Sequence, residues 1–113
     1  MKHNDPMELL PKDISEILAD SASDVMLLDC REQEEFAIVR IEGARLLPMG
    51  ELAARIDELE PWRAKRIIVY CHHGVRSLRV VRWLRDKGFS KASSMKGGID
   101  QWSACVNPSL PRY

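Results

Sequence analysis

The chain has 113 residues, the size of one ordinary module with a single core, and its 45% apolar and 30% charged content is globular rather than disordered composition. Lys plus Arg and Asp plus Glu both number 17, so no broad field draws the protein to nucleic acid or an anionic membrane, and any anion site must be local. No stretch approaches the roughly 20 apolar residues that span a bilayer, and the start, Met1 to Glu8, is polar and lacks a signal-peptide core, so a cytoplasmic location is expected.

In chain order, Ile14, Ile17 and Leu18 recur at helical spacing after Pro11, and Asp24 leads into the apolar run Val25-Met26-Leu27-Leu28, short enough for a buried strand. Leu46-Leu47 before Pro48 reads as a second short strand, and Leu52, Ile56 and Leu59 fall on one face of a following helix. Ile67-Ile68-Val69-Tyr70 is β-branched and apolar on both faces, as central parallel strands tend to be. The spacing of Val80, Val81 and Leu84 predicts a helix over 77–87 that closes on Gly88, leaving Cys71 to Arg76 as a tight strand-to-helix turn. A weaker strand over 92–95, the pair Gly97-Gly98, a short helix over 99–104 and an extended tail over 106–113 complete the chain. Nothing marks a boundary, so residues 1–113 are expected to form one domain with its core over about 7–105. The alternation predicts an α/β fold of three layers, a central, mostly parallel sheet with helices on both faces.

Ligands of open α/β sheets bind beyond the carboxyl ends of the strands, and Cys71-His72-His73-Gly74-Val75-Arg76-Ser77 lies at that place. Successive backbone N–H groups of such a turn converge on one point, and the next helix adds the positive end of its dipole. A thiol there ionises below the roughly 8.5 of a free cysteine, so Cys71 becomes a nucleophile. Gly74 lets the backbone curl, and Arg76 offers a fixed positive charge to an oxyanion or persulfide. His72 and His73 can raise the potential at the mouth, but adjacent histidines lack the spacing of a two-ligand metal site, and no metal or cofactor is expected. Cys30 and Cys105 lack the Gly and Arg surroundings of Cys71 and read as packing thiols; Trp83 and Trp102 read as packing aromatics.

Four motifs resemble those of the rhodanese family: Leu28-Asp29-Cys30-Arg31 followed by Glu34-Glu35-Phe36; Ile41-Glu42-Gly43-Ala44; the loop from Cys71 to Arg76; and Gly97-Gly98 with Trp102. The resemblance implies a rhodanese-like fold and a catalytic Cys71 that takes sulfane sulfur from thiosulfate or a persulfide protein and passes it to cyanide or a thiol. It also implies an anion-binding loop, His72, His73, Gly74, Val75, Arg76 and Ser77, with Arg76 sharing in catalysis and Asp29 and Arg31 in support. Arg40 and Glu42 depart from the His and Pro usual in the second motif. Related phosphatases and arsenate reductases have a loop one residue longer, whereas Cys71 and Arg76 enclose four residues, the form that resembles sulfurtransferases. A phosphatase or arsenate-reductase-like enzyme and a non-catalytic interaction module of the same fold are the alternatives.

Overall fold

The protein, seen here as a computed structural model, is described over residues 6–20, 22 and 24–113; Met1 to Asp5 of the polar opening lie outside the described residues. The elements run β1 (Glu8–Leu9), α1 (Pro11–Ala19), β2 (Val25–Asp29), α2 (Gln33–Ile38), β3 (Arg45–Leu46), β4 (Arg66–Tyr70), α3 (Val75–Asp86), β5 (Ala92–Met95) and α4 (Gly98–Cys105), with two 3-10 segments, Met49–Glu51 and Ile56–Trp62, between β3 and β4. The strands form one sheet in the order β1-β5-β4-β2-β3, and every pairing is parallel. The expected three-layer α/β architecture is therefore present.

Strand periodicity divides the interior in two. Successive side chains of a strand point to opposite faces, so Ile67, Val69 and Cys71 join Met26, Leu28 and Cys30 on one face, under Val80, Val81 and Leu84 of α3 and Leu52 and Leu59 of the 3-10 region. Ile68 and Tyr70 join Leu27 on the other, under Ile14 of α1 and Ile99 and Trp102 of α4. At roughly 1.5–3 kcal/mol for each fully buried aliphatic side chain, this two-sided burial is what holds β4 at the centre.

The structure differs from the pattern-based reading in places with physical causes. Leu52 and Leu59 are buried and Ile56 packs against them, as the spacing predicts, but no α-helix forms there. Pro61 inside the second segment has no N–H to give to a carbonyl four residues back, and short 3-10 turns tolerate that loss. The motif following Arg31 opens a helix: the Glu35 carboxylate accepts the N–H of Glu32 at 3.0 Å, half of a capping box at the start of α2. α3 begins at Val75, two residues earlier than expected, which draws Val75 and Arg76 into its first turn. Its end is as expected: Gly88 has φ +98°, and Phe89 donates to Leu84 at 2.9 Å and Gly88 to Arg85 at 3.0 Å, both bonds of a Schellman cap. β1, too short to show a period, pairs with β5 at the sheet edge. Among the described residues, no helix is long and apolar enough to cross a membrane.

Candidate active site

Cys71 follows β4 directly, so a strand buried on both faces delivers its sulfur to the base of the loop, and the side chain is 1% exposed. Gly74, with φ +99°, turns the chain into α3, and a Cβ there would stand 3.0 Å from the Gly97 nitrogen, so only glycine fits both the angle and the space. The turn aims two amides at the sulfur: Gly74 N–H donates to Cys71 Sγ at 3.0 Å and Ser77 N–H at 3.3 Å. The Ser77 hydroxyl lies 3.4 Å from the sulfur and 2.7 Å from the Ser94 hydroxyl, so with Cys71 ionised Ser77 donates to sulfur and accepts from Ser94.

The rear of the loop is pinned from α4. Ile99 N–H donates to the Cys71 carbonyl at 2.9 Å and Asp100 N–H to the His72 carbonyl at 3.1 Å. These bonds fix the first two peptide groups of the turn, from which the chain runs on to the Gly74 and Ser77 amides. Gly98 allows this approach, because a Cβ there would run into the carbonyls of Cys71 and His72.

Sequence reasoning placed Cys30 among the packing thiols, and the structure sets it beside the nucleophile. Asp29 pairs with Tyr70 in the sheet register and Cys30 N–H donates to the Tyr70 carbonyl at 3.1 Å, so both cysteines leave neighbouring strands side by side into one core. The Cys71 thiol is lowered to about 4, first by a hydrogen bond from the Cys30 thiol, then by the Ser77 hydroxyl and the Ser77 and Gly74 amides, against the opposing effect of burial. Cys30 moves the other way: its hydrogen bond to Cys71 and its own burial push its proton loss far up. The pair thus shares one proton, held on Cys30. The signal that could have located it is positional: each cysteine is the first residue after a strand, Cys30 after β2 and Cys71 after β4.

Asp29 and Arg31 form a fully buried ion pair, 2.7 Å between Nη2 and Oδ2, and Arg31 also donates to the Val39 carbonyl at 2.6 Å. Their place is behind the site, where they fix the end of β2. Arg76 gives both terminal nitrogens to Glu35 at 2.8 and 2.9 Å, so its charge stands at the loop beside a carboxylate. That contact holds Glu35 down to about 2. Tyr113, which sequence reasoning left in the tail, donates from its hydroxyl to Glu35 at 2.7 Å, accepts from Arg31 at 2.7 Å and stacks on His72 with ring centroids 3.8 Å apart. His72 also stacks on His73 at 3.8 Å. The last residue of the chain therefore spans the loop from His72 to the partner of Arg76.

His72, His73 and Asp100 bring ligand atoms within 4.8 Å of one another, a number of donors that could hold a cation. Both Asp100 oxygens already accept from Arg112 at 2.9 Å, and the two imidazoles are stacked on each other. The trio is a stacked, ion-paired rim to the loop.

A cysteine sulfur cradled by main-chain amides, between a central parallel strand and the helix that follows it, defines an anion-stabilising α/β protein of the cysteine-loop type. The Rhodanese-like domain family model matches residues 10–105, and the chain belongs to that family. It is similar to the adenylyltransferase and sulfurtransferase MOCS3 of Arabidopsis thaliana, 32% identical over 96% of this chain and 28% of that protein. It is also similar to a sulfurtransferase of Allochromatium vinosum, 31% identical over 85% of this chain and 87% of that protein. Among solved structures, the Rhodanese-like domain protein from Staphylococcus aureus superposes with a TM-score of 0.79 at 25% identity, covering 96% of this chain and 99% of the other. The chain thus spans under a third of the length of the first of these relatives.

Proposed function

We propose that the protein is a sulfurtransferase that carries sulfur as a persulfide on Cys71, acting as a single module with its core over residues 7–105. The observation that carries this reading is the buried Cys71 sulfur facing the Gly74 and Ser77 amides, with its proton affinity lowered to about 4. A thiolate is the attacking form of cysteine, and a persulfide anion formed there would meet the same donors. The Cys71 thiolate attacks the outer sulfur of thiosulfate, the bond from that sulfur to the sulfonate breaks, and sulfite leaves with the electron pair. Cyanide or an acceptor thiolate then attacks the outer sulfur of the persulfide, and thiocyanate or a new persulfide departs as the Cys71 thiolate returns. Atoms, charge and electron pairs balance in both steps, so neither step needs an external oxidant or reductant. His72 and His73 stand at the rim of this site, and Asp29 and Arg31 hold it from behind.

The similar proteins named as sulfurtransferases support the transfer chemistry, and the loop of four residues between Cys71 and Arg76 supports sulfur over a tetrahedral oxyanion. Three free cysteines, one of them poised as a thiolate, suit a reducing compartment, and the cytoplasm is part of the same proposal. Incubation with thiosulfate is expected to add one sulfur to Cys71 by mass spectrometry, cyanide to remove it as thiocyanate, and Cys71→Ser to abolish both. Hydrolysis of an aryl phosphate without sulfur uptake would transfer the site to the phosphatase reading. Failure to accept sulfur from both thiosulfate and a persulfide protein would leave a non-catalytic module.

A further inference from the structure

A groove of about 760 Å³ opens beside the loop, and neither Tyr113 nor Glu35 is among the described residues that line it. Volumes of this order hold substantial ligands. Its inner end is the sulfur loop, where His73, Gly74 and Val75 line it together with Gly97. Its walls are the start of α1, the outer face of α3, and Gln101 and Cys105 of α4.

Two features set it apart from ordinary surface. Leu10 and Val75, 54% and 67% exposed, are two of the four large apolar side chains most open to solvent among the described residues, and both line it. Four exposed cations, Lys12, Arg79, Arg82 and Lys96, stand around them, and Glu8 is the single acid among the described lining residues. None of these four makes an ion pair or side-chain hydrogen bond within the described residues, whereas Arg31, Arg45, Arg55, Arg63, Arg76 and Arg112 all have acidic partners. In a chain whose charges balance at 17 each, four cations without an ion pair among the described residues stand around one apolar floor beside the sulfur loop.

We propose that this groove docks an acidic, apolar-containing peptide segment of the protein that exchanges sulfur with Cys71. Like the function it deepens, this rests on the sulfurtransferase reading. The four cations come from three separate places, α1, α3 and the turn before α4, so they match negative charge spread along an extended chain better than a single phosphate. Exposed Leu10 and Val75 supply the apolar contacts that an acidic segment with interspersed aliphatic residues would cover. Charges placed this way speed encounter and select partners more than they add raw affinity. The end of such a segment would meet the loop at His73 and Gly74, next to the sulfur.

The test uses the full chain and a fluorescein-labelled peptide alternating Glu and Leu and ending in Cys, with a counterpart carrying Gln for Glu. Fluorescence anisotropy is expected to show the Glu peptide binding about tenfold more tightly than the Gln peptide at low salt, with the preference shrinking as salt rises. In the double variant Arg79→Glu, Arg82→Glu the preference should vanish while turnover of thiosulfate and cyanide stays at the parent level, which also shows that the variant is folded. Equal binding of the two peptides, or an unchanged preference in the variant, overturns the proposal. Displacement of the peptide by coenzyme A, but not by inorganic phosphate at matched ionic strength, would reassign the groove to a small phosphorylated thiol. Because anisotropy needs no sulfur, peptide binding is decided even if Cys71 fails to load, and such a failure would count against the sulfurtransferase reading alone.

Discussion

Burial alone would keep Cys71 protonated, since removing water disfavours the charged form. Its four donors reverse that outcome, and the first of them is Cys30. Because the proton affinity is lowered to about 4, the thiolate fraction is nearly complete throughout neutral pH, and the rate of iodoacetamide alkylation at Cys71 should be flat from pH 6 to 9 and fall with an inflection near 4. Cys30→Ala removes one hydrogen bond to a charged group, roughly 1.5–3 kcal/mol, and should raise the inflection by about one to two pH units. An inflection that stays in place would show that Cys30 only fills space. Legibility at this scale was uneven. Cys71 was readable because Gly74 and Arg76 follow it, and such turns direct amides inward. Cys30 was not, because its significance lies in the pairing of Asp29 with Tyr70, a contact between residues far apart in sequence. The partner of Arg76 was hidden for the same reason: Glu35 reaches it only after α2 has formed.

At the scale of elements, the site is an agreement between two helix N-termini. α3 supplies the Ser77 amide to the sulfur, and α4 holds the carbonyls of Cys71 and His72. Gly98 is the residue on which this agreement turns, with φ +65° and no room for a Cβ against those carbonyls. Gly98→Ala should therefore destabilise the fold by about 1–3 kcal/mol, lowering the urea midpoint, and should slow alkylation of Cys71 as the loop is pushed out of line. A variant with wild-type stability and reactivity would show that the backbone relaxes without loss. The pair Gly97-Gly98 was visible in the sequence as a motif, while its action on the loop depends on α4 packing beneath it. The helix expected over Leu52 to Leu59 shows the converse: apolar spacing located the buried face correctly, but Pro61 decided the kind of helix.

For the whole molecule, a lowered acid ties folding to pH. The unfolded Cys71 loses its proton near 8.5, the folded one near 4, so the thiolate's stabilising contribution is complete above the unfolded value and is lost as pH falls through the folded one. The stability difference between the parent and Cys71→Ala should widen steadily from pH 4 to pH 8, as followed by urea denaturation. A constant difference across that range would mean that the cradle holds a neutral thiol. The layered architecture itself was legible because strand 67–70 is apolar at every position, which a sheet covered on both faces demands. The sheet edge was not, since β1 contributes two residues, too few to show a period.

The cradle draws on both sides of its cysteine: Cys30 precedes it, while Gly74, Ser77 and the residues of α4 that pin the loop follow it. Ile99 and Asp100 hold the carbonyls of Cys71 and His72, and Leu9 at the opposite end of the chain pairs with Met95. During synthesis on a ribosome, the nascent cysteine consequently behaves as an ordinary thiol until residues 98–100 have emerged and docked. The lowered proton affinity of Cys71 is therefore a property of the folded domain and not of the loop alone.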